Sequence, residues 1–339
     1  MKRKQSGLRI MSRLIVLVKP LSGFMCLAVL LGVLGFLCAI QITVAGSLTL
    51  LTAAKISGGI AIKTGCICII IFAVLRGFLH YGEQACNHYI AFKLLALIRD
   101  KVFKAMRRLS PAKLEGKDKG NLVSVITSDI ELLEVFYAHT ISPTCIAILT
   151  CLIMLIFIGR YSIWLSLVAL AAYITVGAVI PLVSSRLNKN AGMTYRNGSG
   201  ALSGFVLDSM RGLLESIRYN STDKRLEEMD KKTDELNSLQ NKLKKIEGHT
   251  GAVTDIAIIF FSVAMLLTGI ALYQKGVIGF DGMIVSTVSM MSSFGPVAAL
   301  SGLAGNLTHT LAAGERVLGI LDETPVVEEN TDGKTVAFD

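Results

Sequence analysis

ISPTCIAILTCLIMLIFIGRYSIWLSLVALAAYITVGAVIPLV, residues 141–183, carries a single charged side chain, Arg160. Crossing the hydrocarbon core of a bilayer takes about 20 mainly apolar residues. The stretch is long enough for two crossings, 140–159 and 162–183, with only Arg160 and Tyr161 left between them. It therefore predicts a tight hairpin that enters and leaves a membrane. Four more stretches pass the same test on either side: 21–45, 58–79, 252–273 and 283–307. The composition agrees, with 52% hydrophobic and 17% charged residues and a mean hydropathy of +0.59. Soluble domains run at about 45–50% apolar and about 25% charged. The fold class expected is an all-α membrane protein with six transmembrane helices.

The charges orient the spans. Of the 34 lysines and arginines, 29 fall in 2–19, 80–139, 184–251 and the tail after 307. Basic residues concentrate on the cytoplasmic side, so both termini and both long connections are expected there, in a multi-pass protein of the cell membrane. Lys117 and Lys224 then face the cytoplasm, and Lys55, Arg160 and Lys275 the opposite side. The net charge of +9 is accounted for by topology, so no nucleic-acid partner is expected. The seven cysteines show no CxxC and no paired Cys/His spacing, which argues against a metal site or a disulfide framework; they read as small buried hydrophobes. The first long apolar run lacks a small-residue cleavage site and reads as a span rather than a cleavable signal.

The long connections are not loops. In DKRLEEMDKKTDELNSLQNKLKKIEG (223–248), Glu227/Lys231 and Glu228/Lys232 stand four apart with the acid first, the favourable order on a helix. Leu236, Leu239, Leu243 and Ile246 repeat at three and four residues, a stripe that needs an apolar surface against it. IAFKLLALIRDKVFKAMRRLSP (90–111) is helical by the same test and ends before Pro111. AKLEGKDKG (112–120) turns, and NLVSVITSDIELLEVF (121–136) returns toward the membrane. The spans thus extend as long cytoplasmic helices joined by short turns.

GKDKGNLVSVITSDIELLE (116–134), ESIRYNSTDKRLEEM (215–229) and AAGERVLGILDETP (312–325) together resemble the transmembrane domain of a type I ABC exporter over most of the chain. In that resemblance Gly120 and Asp129 fall on recurrent family positions. Leu114, Gly116 and Gly120, and Tyr219, Asn220 and Ser221, form the two segments that couple to a nucleotide-binding domain. AAGERVLGILDETP is the helix leaving the sixth span. The transmembrane domain then covers 1–325, and 326–339 is a linker with the start of a nucleotide-binding domain, GKTVAFD (333–339). The partners implied are the bilayer, a nucleotide-binding domain holding ATP and magnesium, and a second half-transporter, identical or different. Gly333-Lys334-Thr335 is no phosphate loop, because such a loop needs a glycine five residues earlier and Glu328 stands there. ISGGI (56–60) lies between two spans on the outer side and is no ABC signature. This chain alone is therefore expected to bind no ATP and to be no enzyme by itself.

HYGEQACNHYIAFKLLALIRD (80–100), DIELLEVFYAHTISP (129–143) and SSFGPVAALSGLAGNL (292–307) resemble most the CydC-type subunit of transporters for cytochrome bd assembly. That resemblance implies export of thiols or haem, with His88 matching a histidine suited to haem iron. The arginine four residues before it in the family pattern is Gln84 here. Helical spacing puts Tyr81, Gln84, His88 and Phe92 on one face, while His80 and His139 are rival ligands nearby. The plainer reading of His88 is a hydrogen-bonded histidine at the membrane interface. Arg76 and Asp255 are ionisable groups within spans, which the bilayer penalises, and they join the substrate candidates. Arg76 also reads as snorkelling to the headgroups, and Asp255 as bonded to a neighbouring span. Pro181 and Pro296 fall within spans and predict bends. A six-span secondary transporter or channel, or an exporter of drugs, peptides or lipids, are the alternatives. Spans four and five, with the 184–251 hairpin, are expected to reach across to a partner subunit.

Overall fold

The computed structural model describes residues 7–17, 19–56, 60–110, 125–301 and 304–325. Among these, the chain is helical nearly throughout and shows no strand. The helices are α1 (Gly7–Leu17), α2 (Ser22–Ala53), α3 (Ile62–Leu109), α4 (Ile130–Phe136), α5 (Ser142–Gly159), α6 (Ile163–Ile174), α7 (Ile180–Arg211), α8 (Leu213–Arg218), α9 (Thr222–Gln274), α10 (Phe280–Ser301) and α11 (Ala304–Leu321). Six helical stretches are long and apolar enough to cross a membrane: Lys19–Ala53, Ile62–Leu109, Ser142–Gly159, Ile163–Arg186, Thr222–Gln274 and Phe280–Leu300.

Two of them greatly exceed a bilayer. α3 has 48 residues and α9 has 53, about 70 and 80 Å at about 1.5 Å per residue, against a hydrocarbon core of about 30 Å. The sequence reading has the spans extend as long cytoplasmic helices, and the structure makes each of these two one unbroken helix.

The chain divides into two compact units: Met1–Gly32, Phe78–Cys145 and Asn306–Asp339 form one, and Val33–Gly77 with Ile146–Gly305 the other. In the first unit, α3 buries Ile90, Leu94, Ile98 and Val102, a four-residue repeat that keeps one helix face inward. Against it lie Ile10 and Leu14 of α1, Ile130, Leu133 and Phe136 of α4, and Val317 and Leu318 of α11. Gly314 lets α1 come close, since a Cβ there would meet Leu14 at 2.9 Å. The last four carbonyls of a helix lack partners within it; that of Leu14 accepts a 2.7 Å bond from the buried Tyr137 hydroxyl.

The second unit packs α5, α6, α9 and α10 around Met154, Ile158, Leu165, Met265, Met290 and Phe294. In lipid, helices associate through close packing at small residues and through interhelical hydrogen bonds. Both devices occur here. A Cβ on Gly269 would meet Met283 at 2.9 Å, and one on Gly177 would meet Val297 at 2.8 Å. Tyr173 and Ser293 share a buried 2.5 Å hydrogen bond, and Ser184 and Thr250 one of 2.7 Å. The α5–α6 turn forms as the sequence predicts, with the Ser162 hydroxyl accepting from the Trp164 N–H at 3.3 Å. The π-turn Thr175–Val179 comes just before Pro181, so the distortion expected at that proline falls on the residues preceding it. α10 runs through Pro296 as one helix to Ser301.

Candidate functional site

Two surfaces hold the residues that the sequence singles out. The first is the turn between α7 and α9, which contains α8. The capping carbonyl at Gly212 accepts from the Ser216 hydroxyl at 2.8 Å, and the Ser221 hydroxyl donates to the Ser216 carbonyl at 3.3 Å. Asn220 takes a left-handed backbone with φ of 49°, a conformation that asparagine tolerates better than most residues. The turn presents Tyr219 at 82% exposure, with Met210, Leu213, Leu214 and Ile217 also exposed around it. Leu114, Gly116 and Gly120, the other expected coupling segment, lie outside the described residues.

The helices behind this turn are fastened together. Arg225 donates to the Ser209 hydroxyl at 3.0 Å. Its guanidinium lies 5.7 Å from the Phe205 ring centre, and the Lys232 ammonium lies 5.4 Å from the same centre. Lys231 bonds Glu227 at 2.7 Å as the spacing predicts, whereas Lys232, expected on Glu228, goes to the aromatic face instead. The Lys231 bond holds the Glu227 carboxyl below its ordinary range and raises the lysine. The benefit of that pair is present above the usual carboxylate range and is lost as pH falls.

The second surface is one side of α3. Tyr81, Gln84, His88 and Phe92 are all exposed there. His88 and Phe92 come together, with ring centres 6.2 Å apart and planes 20° from parallel. No described residue bonds the His88 imidazole, so both its nitrogens are open. His80 behaves differently: its Nδ1 lies 3.1 Å from the carboxylate of Glu83. Glu83 is buried, as is Asn87, whose Nδ2 lies 3.5 Å from Glu83 and whose Oδ1 has no partner among the described residues. Sequence reasoning passed over Glu83 and Asn87. The signal was present, since both continue the inward repeat of Ile90, Leu94 and Ile98. Arg76 is exposed on α3 and Asp255 on α9, and neither meets a partner among the described residues. His139's side chain lies outside the described ones. Among the described residues no group of three or more metal-binding side chains assembles.

Six spanning helices, two of them extended far past the bilayer, with an apolar-tipped turn between α7 and α9, define the transmembrane part of an ABC exporter. Residues 21–297 match the family described as the ABC transporter transmembrane region, and the chain belongs to that family. It is 42% identical, over 96% of its own length and 59% of the relative's, to a probable ABC transporter ATP-binding/permease protein of Haemophilus influenzae. It is 23% identical, over 76% of its length and 45% of the relative's, to the glutathione/L-cysteine transport system ATP-binding/permease protein CydC of the same species. Over 36% of its length and 20% of the relative's, it is 29% identical to an ATP-dependent lipid A-core flippase of Shewanella frigidimarina. The chain thus spans little more than half of even the first of these relatives.

Proposed function

We propose that this chain is the moving permease half of an exporter in which two such halves, identical or different, enclose a substrate cavity. ATP-binding domains dock on the cytoplasmic turns, and their closure switches the cavity between inward- and outward-facing states. The observation that carries this reading is the exposed apolar turn around Tyr219. An apolar cluster in water is costly unless something covers it, and α7 and α9 join it to the spans as stiff levers. ATP and magnesium are held by the ATP-binding domain, and this chain transmits the motion. Both termini and both turns face the cytoplasm of a cell membrane, in keeping with the charge distribution.

The cargo in this reading is a thiol compound such as glutathione or cysteine, or haem. The name of the CydC relative supports the first. For haem as cargo, the chain's own residues fit: neutral imidazole is a donor for its iron, and His88 is open at both nitrogens beside Phe92. Gln84, one turn away, offers an amide to a carboxylate, and Tyr81 offers aromatic surface. Arg76 and Asp255 are the remaining candidates to line the path. The flippase relative makes a lipid the competing cargo.

The test is ATP hydrolysis by the protein reconstituted in lipid vesicles with its ATP-binding half. Glutathione, cysteine or haem should stimulate it, and His88→Ala should weaken the absorbance change on haem titration. Stimulation by lipid A alone would shift the cargo to lipid, and no stimulation by any of them would contradict the exporter reading.

A further inference from the structure

The longest-range polar contacts of the first unit converge on α11, the helix that leaves the sixth span. Asp129, only 2% exposed, accepts a hydrogen bond from Arg316 at Oδ1, while its Oδ2 has no partner among the described residues. Just past the end of the helix, Asp322 takes two bonds from Arg13 of α1, at 2.5 and 2.6 Å. Paired contacts of this kind fix orientation as well as distance. Arg108 of α3 donates to the carbonyl of Glu323 at 3.4 Å. α1 is itself seated, by Gly314 against Leu14 and Ile10 and by the Tyr137 hydroxyl on the Leu14 carbonyl. α11 is thus held at 314, 316, 322 and 323 by three other elements: α1, the end of α3 and the turn entering α4.

We infer that α1 is a brace which makes α11, the end of α3 and the start of α4 move as one body. Arg13 and Asp129 are then positioning residues for coupling ATP hydrolysis to transport. They touch neither nucleotide nor cargo and act through α11. Without the brace, motion entering α11 is absorbed by local bending of that helix. With it, the same motion reaches the cytoplasmic ends of the second and third spans together. This inference rests on the exporter reading above.

The experiment uses the charge pair, because Arg13→Asp and Asp322→Arg each break it and the double exchange restores it. Hydrogen exchange of residues 7–17 in the purified protein should rise about tenfold in each single variant and return in the double. In vesicles with the ATP-binding half present, cargo moved per ATP hydrolysed should fall by about threefold or more in the singles and recover in the double. Nucleotide binding should stay unchanged throughout. A merely structural clasp would alter exchange and leave the transport-to-hydrolysis ratio alone, which would overturn the coupling role. Unaltered exchange in the singles would overturn the brace itself. If the unaltered protein moves no cargo with ATP, the exporter reading falls and the coupling role with it, while the exchange measurements still decide whether the brace exists.

Discussion

Tyr137 closes the end of one helix with a side chain of another, and its contribution can be separated from its ring. Its phenol is buried, which raises the pKa above the ordinary tyrosine value, and its hydroxyl donates to the orphan carbonyl of Leu14. Tyr137→Phe keeps the ring and leaves that carbonyl unpaired. We expect a loss of about 1–2 kcal/mol, read as a lower melting temperature of the detergent-purified protein. The wild-type contribution should be complete below a pH of about 10 and should fade as pH rises past it, because the folded state favours the neutral phenol. An unchanged melting temperature would mean that water serves the carbonyl equally well. At this scale the sequence was legible only where partners are close along the chain. His88 and Phe92 stand one helical turn apart, so their stacking follows from spacing alone. Arg13 and Asp322 are separated by 309 positions, and no local pattern announces that they meet.

The hairpin of α7 and α9 bears on one expectation. The stripe Leu236, Leu239, Leu243 and Ile246 was read as suited to packing against a neighbouring helix. The structure supplies part of that contact within the chain: the place of a Cβ on Gly198 of α7 is 3.4 Å from both Leu236 and Leu239. Gly198 stands among polar residues in RNGSG, so it shows no hydrophobic signal, and it serves by leaving room for the leucines. Gly198→Ala should be tolerated at that spacing. Gly198→Leu should force α7 and α9 apart at a cost of about 1–3 kcal/mol, visible in thermal unfolding. Equal stability of the two variants would mean that the stripe is not seated there. The extension of α3 past the membrane was legible in the sequence. Its apolar run ends near residue 79, yet the inward repeat through Ile90, Leu94 and Ile98 carries the same helix on to Leu109.

At the scale of the whole molecule, hydropathy revealed the six spans because each must satisfy a bilayer along its length. Charge placement suggested their direction for a similar reason. The division into two units was not legible, since α2 and α3 each contribute to both and no break in composition marks the change. The turn around Tyr219, to which we assign the coupling role, was located by its likeness to a family, and its physical character, apolar and open, emerged only with the structure. That turn is where the account is most exposed to test. A photo-reactive benzoylphenylalanine placed at Tyr219 in the membrane-embedded protein, with the ATP-binding half present, should join covalently to that half on illumination. The yield should change when ATP is trapped with vanadate, because closure of the ATP-binding domains moves the turn. Adducts only to lipid, or none at all while the protein still hydrolyses ATP, would contradict the claim that this surface receives the motion.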